Sequence, residues 1–420
     1  MIALVDCNNF YASVERLFNP SLNGKPVVVL SNNDGCAIAR SEEAREIGIE
    51  MGMPVFMIAE KLRKKEVAIF SSNYTLYGSM SKRVMEILKT FGAKLEVYSI
   101  DEAFLDLSEY RGEDLVGLAM NIRETILSHT GLPISIGIAP TKTLAKMANR
   151  FAKKQKTKIG IHAATSPAAI NALLAATETA DIWGIGHQYH KLLLEQGYKT
   201  AADLLKAPEE WIRRNMSVQG QRLLFELRGT RAFGWEERPP AKKNICTARS
   251  FGKLLTDLKD ITQAVASHAA NCARKLRNDQ SCARSVHVFL QTNPYRSGDQ
   301  QYMAGITLRL PVASSSSTEI IHYAGKALQL IYRPGFNYLK AGVMLMDIVA
   351  QQQIQLGLFD NRDRIKDAAL MKTIDQSNNA FGKDMLRYGS HGYGKKWKLR
   401  AQRLSPCYTT RINQVMTVKS

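Results

Sequence analysis

Strand-length apolar runs at residues 2–5, 26–30, 95–100, 103–107 and 134–138 alternate with helix-period stretches, which predicts an α/β domain over the first 160 residues. Within it, residues 19–72 are rich in small polar residues and turn signals, including Asn32-Asn33-Asp34-Gly35 and Gly52-Met53-Pro54. Such punctuation predicts a subdomain inserted between strands. Residues 165–230 read as short helices, and a hinge follows at Arg238-Pro239-Pro240-Ala241-Lys242-Lys243, where adjacent prolines cannot continue a helix. Beyond it the pattern predicts strand 246–251, helix 261–277, strands 284–292 and 305–310, helix 318–331 and strand 338–349. This βαββαβ order implies a small sheet with helices on one face. The serines at 314–317 read as a flexible loop before a helix, and after Gln351 the pattern weakens.

Size and charge sharpen this picture. A chain of 420 residues is too long for one ordinary domain, so the fold class is multidomain α/β, or α+β. Its 57 Lys plus Arg against 38 Asp plus Glu give a formal charge of +19 that no single basic run accounts for. A polyanion is the implied partner, nucleic acid first, although ribosomal and membrane-surface proteins share this balance. Residues 361–420 alone carry 13 Lys plus Arg against 4 Asp, a basic appendage. No stretch reaches the roughly 18 apolar residues of a membrane helix. The cysteines at 7, 36, 246, 272, 282 and 407 form no CxxC pair and read as reduced thiols. With Asp6 interrupting the only apolar start, no secretory leader is expected, and the chain is assigned to the cytoplasm.

Three acids carry the candidate chemistry. Asp6 closes the first apolar run, while Asp101 and Glu102 sit side by side between two others. Side chains alternate along a regular strand, so two consecutive acids reach one site only from a turn. The flanking runs make Asp101 and Glu102 the bend of a hairpin whose tip can meet the end of the first strand. Mg²⁺ prefers carboxylate oxygens, and a pair of ions about 3.5–4 Å apart can stabilise both oxygens of an in-line phosphoryl displacement. On spacing alone, a solvated turn is the better account of the same acids, because acids at strand ends are common.

Motif order decides between these readings. DCNNFYASVE from Asp6, SNNDGC from Ser31, SIDEAF from Ser99 and GIAPTKTLAKMAN from Gly137 together resemble the Y-family DNA polymerases. QLGLFD from Gln355 and RLSPCYTTR from Arg403 resemble the C-terminal signatures of the UmuC-type branch. The resemblance implies a right-hand polymerase: palm at 1–18 and 73–164, fingers at 19–72, and a helical thumb at 165–230. A linker at 231–244, a βαββαβ little finger at 245–350 and a tail at 351–420 complete it. It implies two Mg²⁺ ions on Asp6, Asp101, Glu102 and the Cys7 carbonyl, with Ser99 supporting the pair. Tyr11 takes the position of a steric gate against a ribose 2′-hydroxyl, and Phe10 packs under the nucleotide. Arg45 and Lys153 correspond to triphosphate ligands, while Cys36 and Ile38 roof the nascent pair. Ala39, Glu42 and Asn9 depart from the Thr and Tyr of many relatives, which implies modest nucleotide affinity, with Arg40 a candidate to compensate. Glu15 is expected to begin a helix.

The remaining implications concern partners. WGIGHQYHKLL from Trp183 looks like a helix-hairpin-helix, with Gly184 and Gly186 presenting backbone N–H groups to a DNA phosphate. His187 and His190 read as surface residues, not metal ligands. Arg249, Arg274, Lys275, Arg277 and Arg284 are candidates for DNA-backbone contact. Gln355, Leu356, Leu358 and Phe359 resemble a bacterial sliding-clamp peptide, and the tail implies a UmuD′-type dimer and a RecA filament as partners. Primed template DNA and dNTPs are the implied substrates, for error-prone translesion synthesis near the nucleoid. Two rivals stand beside this reading: a non-catalytic DNA-binding regulator that kept the fold, and a nucleotidyl cyclase or related palm enzyme.

Overall fold

The computed structural model describes the chain except residues 63–66, 111–113, 155–158, 237–240, 356–359, 361, 383, 394–396 and 417–420, with only the backbone at 59–62. The chain divides into two compact units, one of residues 1–31, 35–239 and 402–420, the other of residues 32–34 and 240–401.

The first unit opens with β1 (Ile2–Cys7) and α1 (Phe10–Phe18). Next come β2 (Val27–Leu30), β3 (Ala37–Arg40), α2 (Glu42–Glu46), α3 (Val55–Leu62) and β4 (Ala68–Ser71), whose strands form a separate three-stranded sheet in the order β3-β2-β4. The inserted stretch of turn signals is therefore a small sheet-bearing body with its own core of Val28, Leu30, Ala37, Ala44, Ile49 and Ile58. After it run α4 (Tyr74–Lys89), β5 (Lys94–Val97), β6 (Glu102–Asp106), α5 (Leu115–Thr130), β7 (Ile134–Ala139), α6 (Lys142–Lys154) and β8 (Ile161–Ala163). The main sheet has the order β5-β6-β1-β7-β8, so the N-terminal strand lies at its centre. That position explains why Ile2 to Val5 are apolar without alternation: a central strand is covered on both faces, and all four residues are buried.

Four helices follow: α7 (Pro167–Ala176), α8 (His187–Glu195), α9 (Ala201–Leu204) and α10 (Glu209–Leu227). Their apolar faces share a core with α6 and with Ile2, Leu4 and Phe104 of the main sheet. Buried Glu226 on α10 accepts from the Thr143 amide at the start of α6, at 3.0 Å, and from the Ala232 and Phe233 amides.

The second unit contains β9 (Ile245–Leu255), α11 (Leu258–Asn278), β10 (Ser281–Thr292), β11 (Met303–Ser314), α12 (Ser317–Ile331) and β12 (Tyr338–Ala350). All neighbours in the sheet order β11-β10-β12-β9 are antiparallel. Val286, Val288 and Leu290 on β10 and Val343 and Leu345 on β12 bury one face against α11 and α12. α13 (Arg364–Phe381) follows, its Arg364 paired with buried Glu319 of α12 at 2.6 Å.

The serine run is not the expected loose loop. Ser314 ends β11 and Ser317 opens α12, and Ser314, Ser316 and Ser317 are buried. The Ser316 amide donates to Ser314 Oγ, and Arg277 donates to the Ser315 carbonyl and the Ser317 hydroxyl, so short polar side chains here satisfy buried backbone. Glu15 is also placed otherwise than expected: it lies inside α1, buried, instead of beginning a helix.

Candidate active site

β1 and β6 pair antiparallel with Asp6 opposite Glu102, so the last acid of the first strand and the first residue of the second meet by register alone. Ser99 forms the turn that precedes β6. Its hydroxyl donates to Asp101 Oδ1 at 2.5 Å and accepts from the Glu102 amide at 3.0 Å. The Tyr98 and Ser99 amides both donate to the Glu102 carbonyl, closing a tight reversal that releases the two acids from strand alternation. The Cys7 amide donates to the Asp101 carbonyl at 2.9 Å, tying the hairpin tip to the end of β1.

Two lysines of α6 reach these acids. Lys153 Nζ lies 2.6 Å from Asp6 Oδ1, and Lys146 Nζ lies 3.1 Å from Glu102 Oε2 and 4.2 Å from the centre of the Tyr98 ring. Seven residues apart, they share one helix face. α6 itself is fixed by close packing: a Cβ on Gly137 of β7 would lie 2.1 Å from the Asn149 amide nitrogen, and Asn149 Nδ2 donates to the Ser135 carbonyl at 2.8 Å. Burial pushes the Asp6 carboxyl up to about 6, with Glu102 and Asp101 pushing the same way and Lys153 opposing them. Such a carboxylate gains from any further cation.

The oxygen donors fit a hard divalent cation in kind, being three carboxylates converging from a strand end and a hairpin tip. Among the described residues no three His, Cys, Asp or Glu are arranged as a finished metal cage. Two of the acids hold ammonium groups instead, and these stand in for cationic charge.

A cleft of about 570 Å³ joins the first acids to the inserted body, lined by Asp6, Cys7, Phe10, Tyr11, Ile38, Arg45, Asp101 and Lys153 among others. Most of the residues expected to meet a nucleotide thus face one space. Cys36 and Glu102 stand outside that lining, Cys36 bridging to Pro54 with its thiol 3.3 Å from the Ser31 hydroxyl. Tyr11 stacks on Tyr77 with ring centres 4.3 Å apart and meets Tyr74 edge-on. Phe10 is buried, its ring tilted at 49° to that of Tyr11 with centres 5.6 Å apart. Arg45 is exposed, with only a loose 3.7 Å pair to Glu42, whereas Arg40, also in the lining, donates to the Ile49 carbonyl. Asn9 takes a left-handed backbone at φ 46°, a conformation asparagine accepts more readily than tyrosine. That need gives a local reason for the departure at this position.

The other candidates are scattered. Gly184 has φ 91°, Gly186 caps α8 in extended conformation, and nothing lies within 4 Å of a Cβ on either, so backbone approach there is open. His190 Nδ1 pairs with the Thr179 hydroxyl at 3.0 Å. Arg249, Arg274 and Arg277 line one recess of about 360 Å³ beside α11. Arg277 is engaged there by Asp375 at 2.6 Å, and Lys275 reaches the Cys246 carbonyl at 3.3 Å. Arg284 stands exposed at a register shift in β10. Gln355 is exposed, and Leu356, Leu358 and Phe359 lie outside the described residues. Lys146 escaped the sequence reading, although its spacing from Lys153 on a helix was a usable signal.

Comparison with known proteins adds an independent line. The profile of the impB/mucB/samB family matches residues 5–150, that of its C-terminal domain residues 242–358, and that of a domain of unknown function residues 368–418. The chain is 43% identical to the protein UmuC of Salmonella typhimurium, with 100% of both chains covered. It is 33% identical to the DNA polymerase IV of Picrophilus torridus over 63% of this chain and 75% of that one. A solved Y-family DNA polymerase chimera superposes with a TM-score of 0.67 at 22% identity, over 83% of this chain and 100% of that one, a likeness of fold.

Proposed function

We propose, from the premise that the chain belongs to the impB/mucB/samB family, the UmuC-type branch of the Y-family DNA polymerases, that the cleft at Asp6 and Asp101 carries out nucleotidyl transfer to a primer end. The protein is a DNA polymerase of error-prone translesion synthesis in the DNA damage response. The observation that carries the site assignment is the register that sets Asp6 against Glu102 while the Ser99 turn brings Asp101 beside the end of β1.

Asp6, Asp101, Glu102 and the Cys7 carbonyl are the residues that would hold two Mg²⁺ ions. Bound there, such a pair supplies the positive charge that eases deprotonation of the primer 3′-hydroxyl and offsets the leaving pyrophosphate. The chain's own groups orient and select. Ser99 aims the Asp101 carboxylate, and Lys153 and Arg45, which line one cleft, are donors for triphosphate oxygens. Tyr11 closes the space beneath the sugar, and Ile38 bounds the base side. The lysine pairs of Asp6 and Glu102 keep half-buried carboxylates compensated before substrate arrives.

DNA contact is assigned to Gly184, Gly186, Arg249, Arg274 and Arg284, with Arg277 holding Asp375. The peptide Gln355 to Phe359 is assigned to a sliding clamp, which raises local concentration for a polymerase that grips DNA weakly. A UmuD′-type dimer and RecA are the remaining assigned partners. No helix among the described residues is long and apolar enough to cross a membrane, and a cytoplasmic, nucleoid-associated site follows from the DNA substrate. The regulator reading has no use for three acids gathered at the end of β1 and the Ser99 turn, two of them paired with lysine, nor the cyclase reading for a clamp peptide.

Primer extension on a primed template tests the proposal. Wild type is expected to extend only with a divalent cation, and Asp101→Asn to lose about three orders of magnitude or more, ~4 kcal/mol of transition-state stabilisation, while still binding DNA. Extension by Asp101→Asn at the wild-type rate refutes the site.

A further inference from the structure

The segment from Gln402 belongs to the catalytic unit, although it closes the region matched by a domain of unknown function. It lies along β4 and the start of α4. The Ser71 amide donates to the Arg403 carbonyl at 2.9 Å, and the Arg403 amide donates to the Ser71 hydroxyl at 3.0 Å. Asn73 uses its two amide ends separately: Oδ1 caps α4 by accepting from Leu76, and Nδ2 donates to the Ser405 carbonyl at 2.8 Å. Tyr408 stacks on Phe18 of α1, ring centres 4.7 Å apart at 11°. The segment is therefore a strap across two helices: α1, which contributes Phe10 and Tyr11 to the nucleotide cleft, and α4, whose Tyr77 stacks on Tyr11.

One contact of the strap points to more than adhesion. Ser405 Oγ donates to Glu15 Oε1 at 2.9 Å, and the same carboxylate oxygen accepts from the Tyr77 hydroxyl at 2.6 Å. Glu15 is 2% exposed and Tyr77 fully buried, so neither has water as an alternative partner. Hydrogen bonds to a carboxylate in such surroundings are strong and directional. The Tyr77 ring in turn forms the surface on which Tyr11 lies nearly parallel, at 15°. Ser405, Glu15, Tyr77 and Tyr11 make one chain of contacts from the C-terminal strap to the ring beneath the sugar.

We infer that the strap sets sugar selectivity: Ser405, through Glu15, fixes Tyr77 and with it the plane of Tyr11, making these three positioning residues for the gate. The inference rests on the reading of Tyr11 as the gate. Removing the Ser405 hydroxyl leaves a buried carboxylate short of one donor, so Glu15 and the Tyr77 hydroxyl bound to it must readjust. A ring tilted away from the sugar admits a 2′-hydroxyl.

Single-nucleotide insertion by the full chain, with kcat and KM determined separately for a dNTP and the matching NTP, tests this in wild type, Ser405→Ala, Ser405→Thr and Tyr77→Phe, alone and combined with Tyr11→Ala. Ser405→Ala is expected to lower dNTP-over-NTP selectivity about two- to tenfold, the scale of one ordinary net hydrogen bond, since the loss reaches the gate only through Glu15 and Tyr77. The change should appear mainly as tighter, faster use of the NTP, with dNTP kcat retained. Tyr77→Phe, which removes the other donor to the same oxygen, should shift selectivity the same way even should Ser405→Ala fold poorly. Ser405→Thr keeps a hydroxyl and should restore selectivity. In the Tyr11→Ala background, neither change should matter. Unchanged selectivity in folded Ser405→Ala overturns the inference, as does unchanged selectivity in Tyr77→Phe, an equal loss for both nucleotides, or the same shift without the Tyr11 ring. Wild-type selectivity in Tyr11→Ala itself condemns the gate reading, and with it any role for the strap in positioning.

Discussion

Tyr11 owes its position to neighbours on the protein side, the stacked Tyr77 and the edge-on Tyr74, so truncating it opens space where a sugar would lie. Tyr11→Ala is expected to raise ribonucleotide incorporation at least about tenfold relative to deoxynucleotide, a change of ~1.4 kcal/mol. Parallel primer extensions with each nucleotide check it, and unchanged discrimination contradicts the gate. That Asp6, Asp101 and Tyr11 face one cleft was legible only through the family resemblance of their motifs, since spacing alone favoured a solvated turn for the acids and core packing for the ring. Lys146 and Glu15 were not. Their partners, Glu102 and Tyr77 with Ser405, are distant in sequence, and the one local clue, the seven-residue spacing of Lys146 from Lys153, places it on a helix face without naming its partner. Asn9 looked like a simple departure, yet its left-handed backbone gives the residue a structural reason.

At the level of elements, periodicity carried the reading furthest where helices and strands are long. The βαββαβ order emerged with ends shifted by a few residues, because one buried face per element leaves a clear period in β10, β12 and α11. The serine run misled because composition suggests mobility, while its hydroxyls are in fact partners for buried amides and for Arg277. α11 also carries a buried titratable group: burial holds His268 down to about 4 from its ordinary 6.5, with Arg249 adding to the effect. The unfolded chain therefore binds this proton at a higher pH than the fold does. Its contribution is complete above about pH 6.5 and declines as the pH falls toward 4, by at most ~3 kcal/mol. His268→Phe keeps a ring against Trp397 and removes the titration. Thermal unfolding followed from pH 7 to 4.5 should show a shallower loss in the variant, and identical slopes contradict the assignment.

For the whole molecule, the excess of 57 basic over 38 acidic residues matters more than any single arginine, since phosphate contacts add affinity with little sequence preference. Binding to primed DNA should weaken steeply with salt, losing on the order of a thousandfold between about 50 and 200 mM for six or so phosphate contacts. A flat response in a titration by fluorescence anisotropy contradicts phosphate-dominated binding. The two-unit division was only partly visible in the chain: adjacent prolines 239 and 240 mark one boundary, but nothing in composition indicates that residues 402–420 return to the first unit. Chain return of this kind depends on specific contacts such as Asn73 with Ser405, which leave no periodic trace. The central claim remains the gathering of oxygen donors at Asp6, Asp101 and Glu102. A crystal structure of the full chain with primed DNA, an unreactive dNTP and Mg²⁺ tests it most directly: two divalent ions bound by these carboxylates, with Lys146 and Lys153 drawn off them, is the predicted result. Ions bound elsewhere, or acids still paired only with lysine, would contradict it.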